Sequence, residues 1–311
     1  MKILQYNEVD PLQVLHLTML ALDFPFTPEY AMHIRRTDPR LFPCFTVNAV
    51  EHDMVLGQVG VIRLPMVSIE GREDVGGVWA ACTHPHHTGY GVASALLEEA
   101  HTRMRSAGLR FSTLGTNRYH RSHQLYRRHG YVDMNVWATA MARWETAHQP
   151  TRLRVQPPKK GGFDFIEKLF KHLASDYLGF AWRHSPFAHL RERVVLEEIW
   201  IMWENDEPAG YVFAHRDDMM LNISIQILRM DIDAVEVVAA VASELKASYV
   251  QVTMSRPADI ASFQRAGWQM AHPTWGAFMV KPLLPNVTVD DARRLFGIGT
   301  DRFLISHLDT M

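Results

Sequence analysis

The residues best suited to chemistry lie between Gly76 and Val132. Thr88-Gly89-Tyr90-Gly91-Val92-Ala93-Ser94 is a glycine-containing turn that leads directly into apolar residues at helical spacing, Val92, Ala93, Leu96, Leu97, Ala100 and Met104. The first N–H groups of a helix have no partner within it and sit at the positive end of its dipole, so such an end accepts a phosphate. Gly89 and Gly91 lack a Cβ and let the backbone bend and come close to a ligand's oxygens, and Ala93 is small enough for the same purpose. Further along, Tyr126 carries a phenol that keeps its proton at neutral pH and can donate it. Taken alone, Tyr126 reads as an amphipathic residue packing its helix, so its chemistry depends on what surrounds it.

Those side chains need elements to position them. Residues 78–82, Val-Trp-Ala-Ala-Cys, form a short apolar run after Gly76 and Gly77 and read as a buried strand ahead of the turn. The helix that follows stops near Gly108. Residues 110–114 resume as a second strand with Gly115, Thr116 and Asn117 at its end, a short helix carries Leu125 and Tyr126, and Gly130-Tyr131-Val132 closes into a third strand. Upstream, residues 3–6 suit an edge strand, and Asp10-Pro11 opens a helix through Val14, Leu15, Leu17 and Leu22 that Phe24-Pro25-Phe26-Thr27-Pro28 ends. Residues 45–50 and 55–64 alternate around Glu51-His52-Asp53, as a hairpin does.

Strand, glycine turn, helix, strand, Asn117, Tyr126 and Gly130-Tyr131 in this order resemble the GCN5-related N-acetyltransferase (GNAT) superfamily. The family's acyl-CoA loop, Arg/Gln-x-x-Gly-x-Gly/Ala, is matched by Thr88-x-x-Gly91-x-Ala93, with threonine where the family has Arg or Gln. The resemblance implies an α+β fold, a three-layer α/β/α arrangement with a mixed, mostly antiparallel sheet. It implies acetyl-CoA as co-substrate, held by residues 88–94 and Asn117, with the thioester carbonyl polarised by backbone N–H groups around Ala81, Cys82 and Thr83. It also implies acetyl transfer to a primary amine, of a small molecule or a peptide, with Tyr126 as general acid and no metal. Residues 78–83 carry no carboxylate, so His84, Asp23, Glu29 or a water chain stay open as the base. The region around Asp23, Phe24, Phe26 and Glu29 covers the acceptor in the family, although the aromatics also suit core packing and the acids helix capping. The enhanced-intracellular-survival-type acetyltransferases look nearest by pattern. They use the terminal carboxylate, which here would be that of Met311, and their third, sterol-carrier-like domain has no room in 311 residues. The thioester site could equally serve a non-catalytic acyl-CoA-binding or sensing protein.

The second half repeats the first in weaker form, giving two tandem GNAT-like domains: residues 1–145, a linker at 146–162 rich in proline, glycine and basic residues, a degenerate second domain at 163–285, and a tail at 286–311. Helical spacing marks 163–173, and another helical stretch runs through 187–195. Residues 198–203 and 210–213 echo the earlier hairpin. A strand at 222–230, a helix from Val235 to Leu245, a strand at 249–254 and a helix through Phe263 lead to Ala266-Gly267-Trp268. Arg229-Met230-Asp231 stands where the glycine loop would be, and Phe263 where Tyr126 would be, so this half keeps the fold and loses the chemistry.

A net charge of −2 gives no electrostatic reason to bind nucleic acid or an anionic membrane. With Cys44 and Cys82 as its two cysteines the chain is not a disulfide scaffold, which fits a reducing cytoplasm. No apolar run approaches the roughly 20 residues that span a bilayer, and the start of the chain lacks a charged-then-apolar leader. His84, His86 and His87 have no companion cluster at metal-ligand spacing and read as lining the loop. Arg118, Arg121, Arg127 and Arg128 could meet a CoA phosphate or form a solvated helix face. The oligomeric state, including a homo-oligomer, stays open.

Overall fold

The computed structural model describes residues 1–144, 151–159, 162–183, 194–306 and residue 309. Among them the chain forms two mixed sheets. β1 (Lys2–Gln5) is the edge of the first and lies antiparallel to β2 (Leu41–Glu51). Between them run α1 (Pro11–Leu22) and α2 (Pro28–Thr37), each opened by a side-chain cap and a proline whose missing N–H costs nothing in the first turn. Asp10 accepts from the Leu12 amide at 2.9 Å and Thr27 from the Tyr30 amide at 3.1 Å. β2 turns into β3 (Met54–Ser68) through His52 and Asp53, both left-handed at φ 48° and 60°, which matches the twist of a two-residue hairpin. β4 (Gly71–Thr83) pairs antiparallel with β3, and α3 (Val92–Ser106) packs on the face they present. β5 (Phe111–Asn117), α4 (Arg121–Arg128) and β6 (Val132–Val136) complete the expected order.

The chain then crosses to the second sheet with β7 (Ala138–Arg143) and β8 (Arg154–Gln156), a strand inside the stretch expected as linker. α5 (Phe163–Leu173), β9 (Leu178–Gly179), β10 (Ile199–Glu204), β11 (Glu207–Asp217), β12 (Met220–Leu228), α6 (Ala234–Glu244), β13 (Tyr249–Met254), α7 (Pro257–Arg265) and β14 (Gln269–Ala271) follow. Last come β15 (Gly276–Pro282), α8 (Val289–Phe296) and β16 (Phe303–Leu304). The order from β10 to α7 repeats that from β2 to α4, as the sequence suggests. Residues 187–193 of the helix expected at 187–195 lie outside the described residues.

The sheets do not follow the division in sequence. The first runs β1-β2-β3-β4-β5-β15-β6 and the second β14-β7-β13-β12-β11-β10-β8. β7, encoded before the linker, sits between β13 and β14; β15, encoded after the second repeat, sits between β5 and β6, antiparallel to both. The exchange is held by burial: Ala138 and Ala140 of β7 join the second core, while Ala277 and Met279 of β15 pack toward α3 and Phe278 and Val280 toward α8. Each apolar strand fits either sheet by composition, so the sequence does not reveal its address.

Candidate active site

β4 and β5 begin as parallel neighbours, pairing Gly76 with Ser112 and Gly77 with Thr113, and then part. β4 continues to Thr83 and β5 to Asn117 without further pairing between them. The parting starts beside a register shift between β3 and β4 at Gln58 and Gly60, where Ala80 takes φ 45°, a left-handed conformation that costs a residue with a Cβ about 1–2 kcal/mol. Gln58, fully buried, donates its side-chain amide to the Ala80 carbonyl at 3.3 Å. The result is an open wedge with free edges, floored on one side by α3 and α4.

A cleft of about 560 Å³ fills this side of the wedge. Its β4 wall is Ala81, Cys82 and Thr83, its end is the turn His87, Thr88, Gly89 and Gly91, and its floor is Val92, Ala93, Ser94 and Leu97 of α3. The far wall is Arg121, Ser122, Leu125, Tyr126 and Arg128 of α4. Gly91 at φ 81° caps α3, and the first amide bonded back to it is that of Ala95, at 3.0 Å to the Gly91 carbonyl. The N–H groups of Val92, Ala93 and Ser94 precede that bond and belong to residues lining the cleft, so a positive helix end and two arginines meet in one place. Thr88 donates its hydroxyl to the Pro85 carbonyl at 3.0 Å, which closes the short 3-10 turn over His86 and His87. α3 comes this close to the sheet because Gly57 of β3 has no side chain: a Cβ there would stand 2.9 Å from Val92 Cγ1 and from the Cys82 carbonyl.

Tyr126 is buried, lines the cleft and makes no hydrogen bond through its hydroxyl among the described residues. Burial, with a further contribution from Cys82, pushes its phenol up to about 12, so it holds a proton throughout the neutral range. Its ring meets Tyr131 edge-on at 5.9 Å. Tyr131 in turn bonds Ser112 at 2.6 Å and His101 at 2.9 Å, a buried polar chain that fixes the wall behind Tyr126. Burial also pushes the Cys82 thiol up to about 12, which leaves it without thiolate character at neutral pH.

Two expected residues stand elsewhere. Asn117 does not line the cleft: its side chain accepts from the Tyr119 amide at 2.9 Å and its carbonyl from His120 at 3.1 Å, so it shapes the turn into α4. Tyr90 is 80% exposed on the outside of the turn. Met311 lies outside the described residues. Among the acceptor-side candidates, Phe26 is buried in an aromatic cluster with Tyr6, Phe45 and Trp79, Asp23 ends α1, and Phe24 and Glu29 are exposed. His84 does not line the cleft. It accepts from the His86 amide at 3.3 Å, and its imidazole is held below its usual range by partial burial and the neighbouring histidines. No carboxylate is among the residues lining the cleft. Sequence reasoning did not single out Val59 or Ser122. Ser122, Leu125 and Tyr126 stand at i, i+3 and i+4, one face of α4, and that spacing was available as a signal.

The second lobe has the matching wedge. β12 and β13 pair from Met220 with Tyr249 to Ser224 with Thr253 and then separate. Here the gap is filled by the chain itself, leaving about 30 Å³ among Gln226, Arg256, Trp137 and residues 303–306 of the tail. Arg229 is engaged by Glu204 and Asp231 where the first lobe has its glycine turn, and Phe263, fully buried, packs on Trp268.

Among the described residues no helix is long and apolar enough to cross a membrane, and no group of three or more His, Cys, Asp or Glu is placed to hold a metal ion. Residues 3–133 match the family model described as an Acetyltransferase (GNAT) domain. No curated protein matches the chain. Among solved structures, it is similar to a GCN5-related N-acetyltransferase from Anabaena variabilis (15% identity, TM-score 0.65, covering 91% of this chain and 73% of that one). A probable N-acyltransferase from Enterococcus faecalis gives 12% identity, a TM-score of 0.66 and coverage of 91% and 72%. Eis1 from Mycobacterium abscessus gives 15% identity, a TM-score of 0.59 and coverage of 91% and 73%. Residues 3–133 thus match a GNAT acetyltransferase domain, in a chain whose two sheets together have the fold of GCN5-related N-acetyltransferases.

Proposed function

We propose that this protein is an acyl-CoA N-acetyltransferase, moving acetyl from acetyl-CoA to a primary amine by direct attack in a ternary complex. The observation that carries this reading is the wedge between β4 and β5, ending on the N-terminus of α3 and lined by Tyr126. In this reading the pyrophosphate sits on the amides of Val92, Ala93 and Ser94, with the turn Thr88 to Gly91 around it. Arg121 and Arg128 take the remaining phosphate charge. The pantetheine arm runs along Ala81, Cys82 and Thr83, on the part of β4 that no longer pairs with β5, where backbone N–H groups can meet the thioester carbonyl. The amine nitrogen bonds to that carbon, the C–S bond breaks, and the leaving thiolate takes the proton of Tyr126. The protonated Cys82 thiol supports direct transfer over an acetyl-cysteine intermediate.

An alkyl ammonium has a pKa near 10.4 and must lose a proton before it attacks. With no carboxylate lining the cleft, the base comes from outside its lining, and His84, Asp23, Glu29, a water chain and a terminal carboxylate at Met311 are the candidates. The division into an acetyltransferase lobe at 1–145, a linker at 146–162, a degenerate lobe at 163–285 and a tail at 286–311 is kept as a functional division, with β15 completing the first lobe. A cytoplasmic setting fits the free cysteines.

Release of CoA thiol, followed on mixing the protein with acetyl-CoA and a panel of spermidine, lysine and kanamycin, tests this function. Amine-dependent release supports it. The lack of a cleft carboxylate favours a second reading, an acyl-CoA-binding or sensing protein, for which acetyl-CoA binds and no amine raises release above the rate in water.

A further inference from the structure

The wedge has two faces. Val59, Leu97 and Tyr126 mark the cleft face beneath α3 and α4. The other face carries Ile62, Leu64 and Phe278, which pack with α8 and the tail. At the point where β4 and β5 separate, these three residues enclose a small gap with Gly77, Thr113, Gly115 and a residue from far along the chain, Asp309.

Asp309 is held there from the second half of the chain. The Arg183 guanidinium donates to both of its oxygens, at 3.1 and 3.2 Å, and the Ser306 amide and hydroxyl donate to Oδ2 at 2.8 and 2.9 Å. Asp309 is buried and Arg183 largely so, with side-chain exposures of 8% and 11%. Arg183 is itself seated: its guanidinium lies 4.2 Å from the centre of the Phe170 ring, beside the buried Tyr211. The preceding tail is locked as well, since Phe180 donates to the Leu304 carbonyl at 2.9 Å and Leu178 to that of Arg302 at 2.8 Å. A carboxylate accepting four hydrogen bonds from three donors is committed to holding its place and is poorly suited to take a proton from substrate. What the pair fixes is the position of the tail where Asp309 meets the gap between β4 and β5.

We propose that Arg183 is a positioning residue for acyl transfer: by anchoring Asp309 where β4 and β5 separate, it holds the tail as the wall of the wedge opposite the acyl-CoA cleft, where the amine enters. The inference rests on the function proposed above. The second lobe thereby acts in catalysis without a site of its own, since the tail segment filling its wedge also delivers Asp309 to the first.

The test uses the full chain with Arg183→Met, Asp309→Asn and the double variant, which leaves neither charge buried without its partner. Acetyl-CoA affinity is measured by calorimetry, and CoA release is measured with spermidine, lysine and kanamycin. If the pair positions the tail, each variant binds acetyl-CoA as the parent does and loses about a hundredfold in amine-dependent turnover, the scale of a misplacement near 1 Å. The double variant then loses no more than the singles, and hydrogen exchange across residues 303–309 rises. Turnover equal to the parent in the double variant overturns the proposal, as does a loss of acetyl-CoA affinity equal to the loss of turnover, which would mark a general structural role. A parent that releases no CoA with any amine overturns the acetyltransferase reading itself and this inference with it, a result distinct from an active parent with unaffected variants.

Discussion

At the scale of single residues, the site depends on one phenol kept neutral and one alanine kept strained. Tyr126→Phe removes the proposed proton donor without changing the shape of the wall, and the expected result is a fall in turnover of about 10²–10⁴ with acetyl-CoA affinity unchanged. A steady-state assay beside a calorimetric titration checks it. The same substitution has a signature in stability. Tyrosine ionises near 10 when unfolded, whereas the folded Tyr126 ionises at about 12, so the folded state favours the protonated phenol. That contribution is complete below pH 10 and is lost as pH rises from 10 through 12. Urea midpoints across that window should fall less steeply in Tyr126→Phe than in the parent. Tyr126 could be read from the sequence because the glycine turn, the helix and Gly130-Tyr131 surround it. Ala80 could not, since an alanine gives no sign of φ 45°.

At the scale of elements, the wedge exists because one parallel ladder stops after two residue pairs and the neighbouring antiparallel ladder shifts register at Ala80. Ala80→Val places a β-branched residue in a left-handed conformation. Alanine already bears the strain of its Cβ, so the added cost is that of the branched side chain, about 0.5–3 kcal/mol in urea denaturation, together with reduced acetyl-CoA affinity as the strand edge moves. Unchanged affinity would mean that the shift does not shape the cleft. The strand, turn and helix from residue 78 to residue 104 were legible because apolar spacing and glycines mark each boundary. The departure of β4 from β5 was not, because it is an absence of pairing between two strands that both look ordinary. The turn glycines followed expectation in conformation, Gly89 at φ 87° and Gly91 at 81°. Asn117 instead spends its side chain on the turn into α4.

At the scale of the whole molecule, each sheet contains a strand encoded with the other. Residues 1–145 alone would lack β15 between β5 and β6, leaving Ala277, Phe278, Met279 and Val280 without their places in two cores. The full chain is therefore expected to unfold in one calorimetric transition, and residues 1–145 expressed alone to lack a cooperative one; two separated transitions in the full chain would contradict the coupling. The repeat itself was legible from hairpin, helix and Gly-aromatic echoes. The exchange was not, because β7 and β15 carry small and apolar residues that either sheet can bury, and long-range pairing leaves no local trace. The central claim, that the wedge of the first lobe receives acyl-CoA, is met most directly by calorimetric titration of the full chain with acetyl-CoA beside Gly91→Val, which puts a Cβ at φ 81° in the turn that caps α3. The expected result is one site per chain in the parent and none in the variant. No binding to the parent, or equal binding to both, would contradict it.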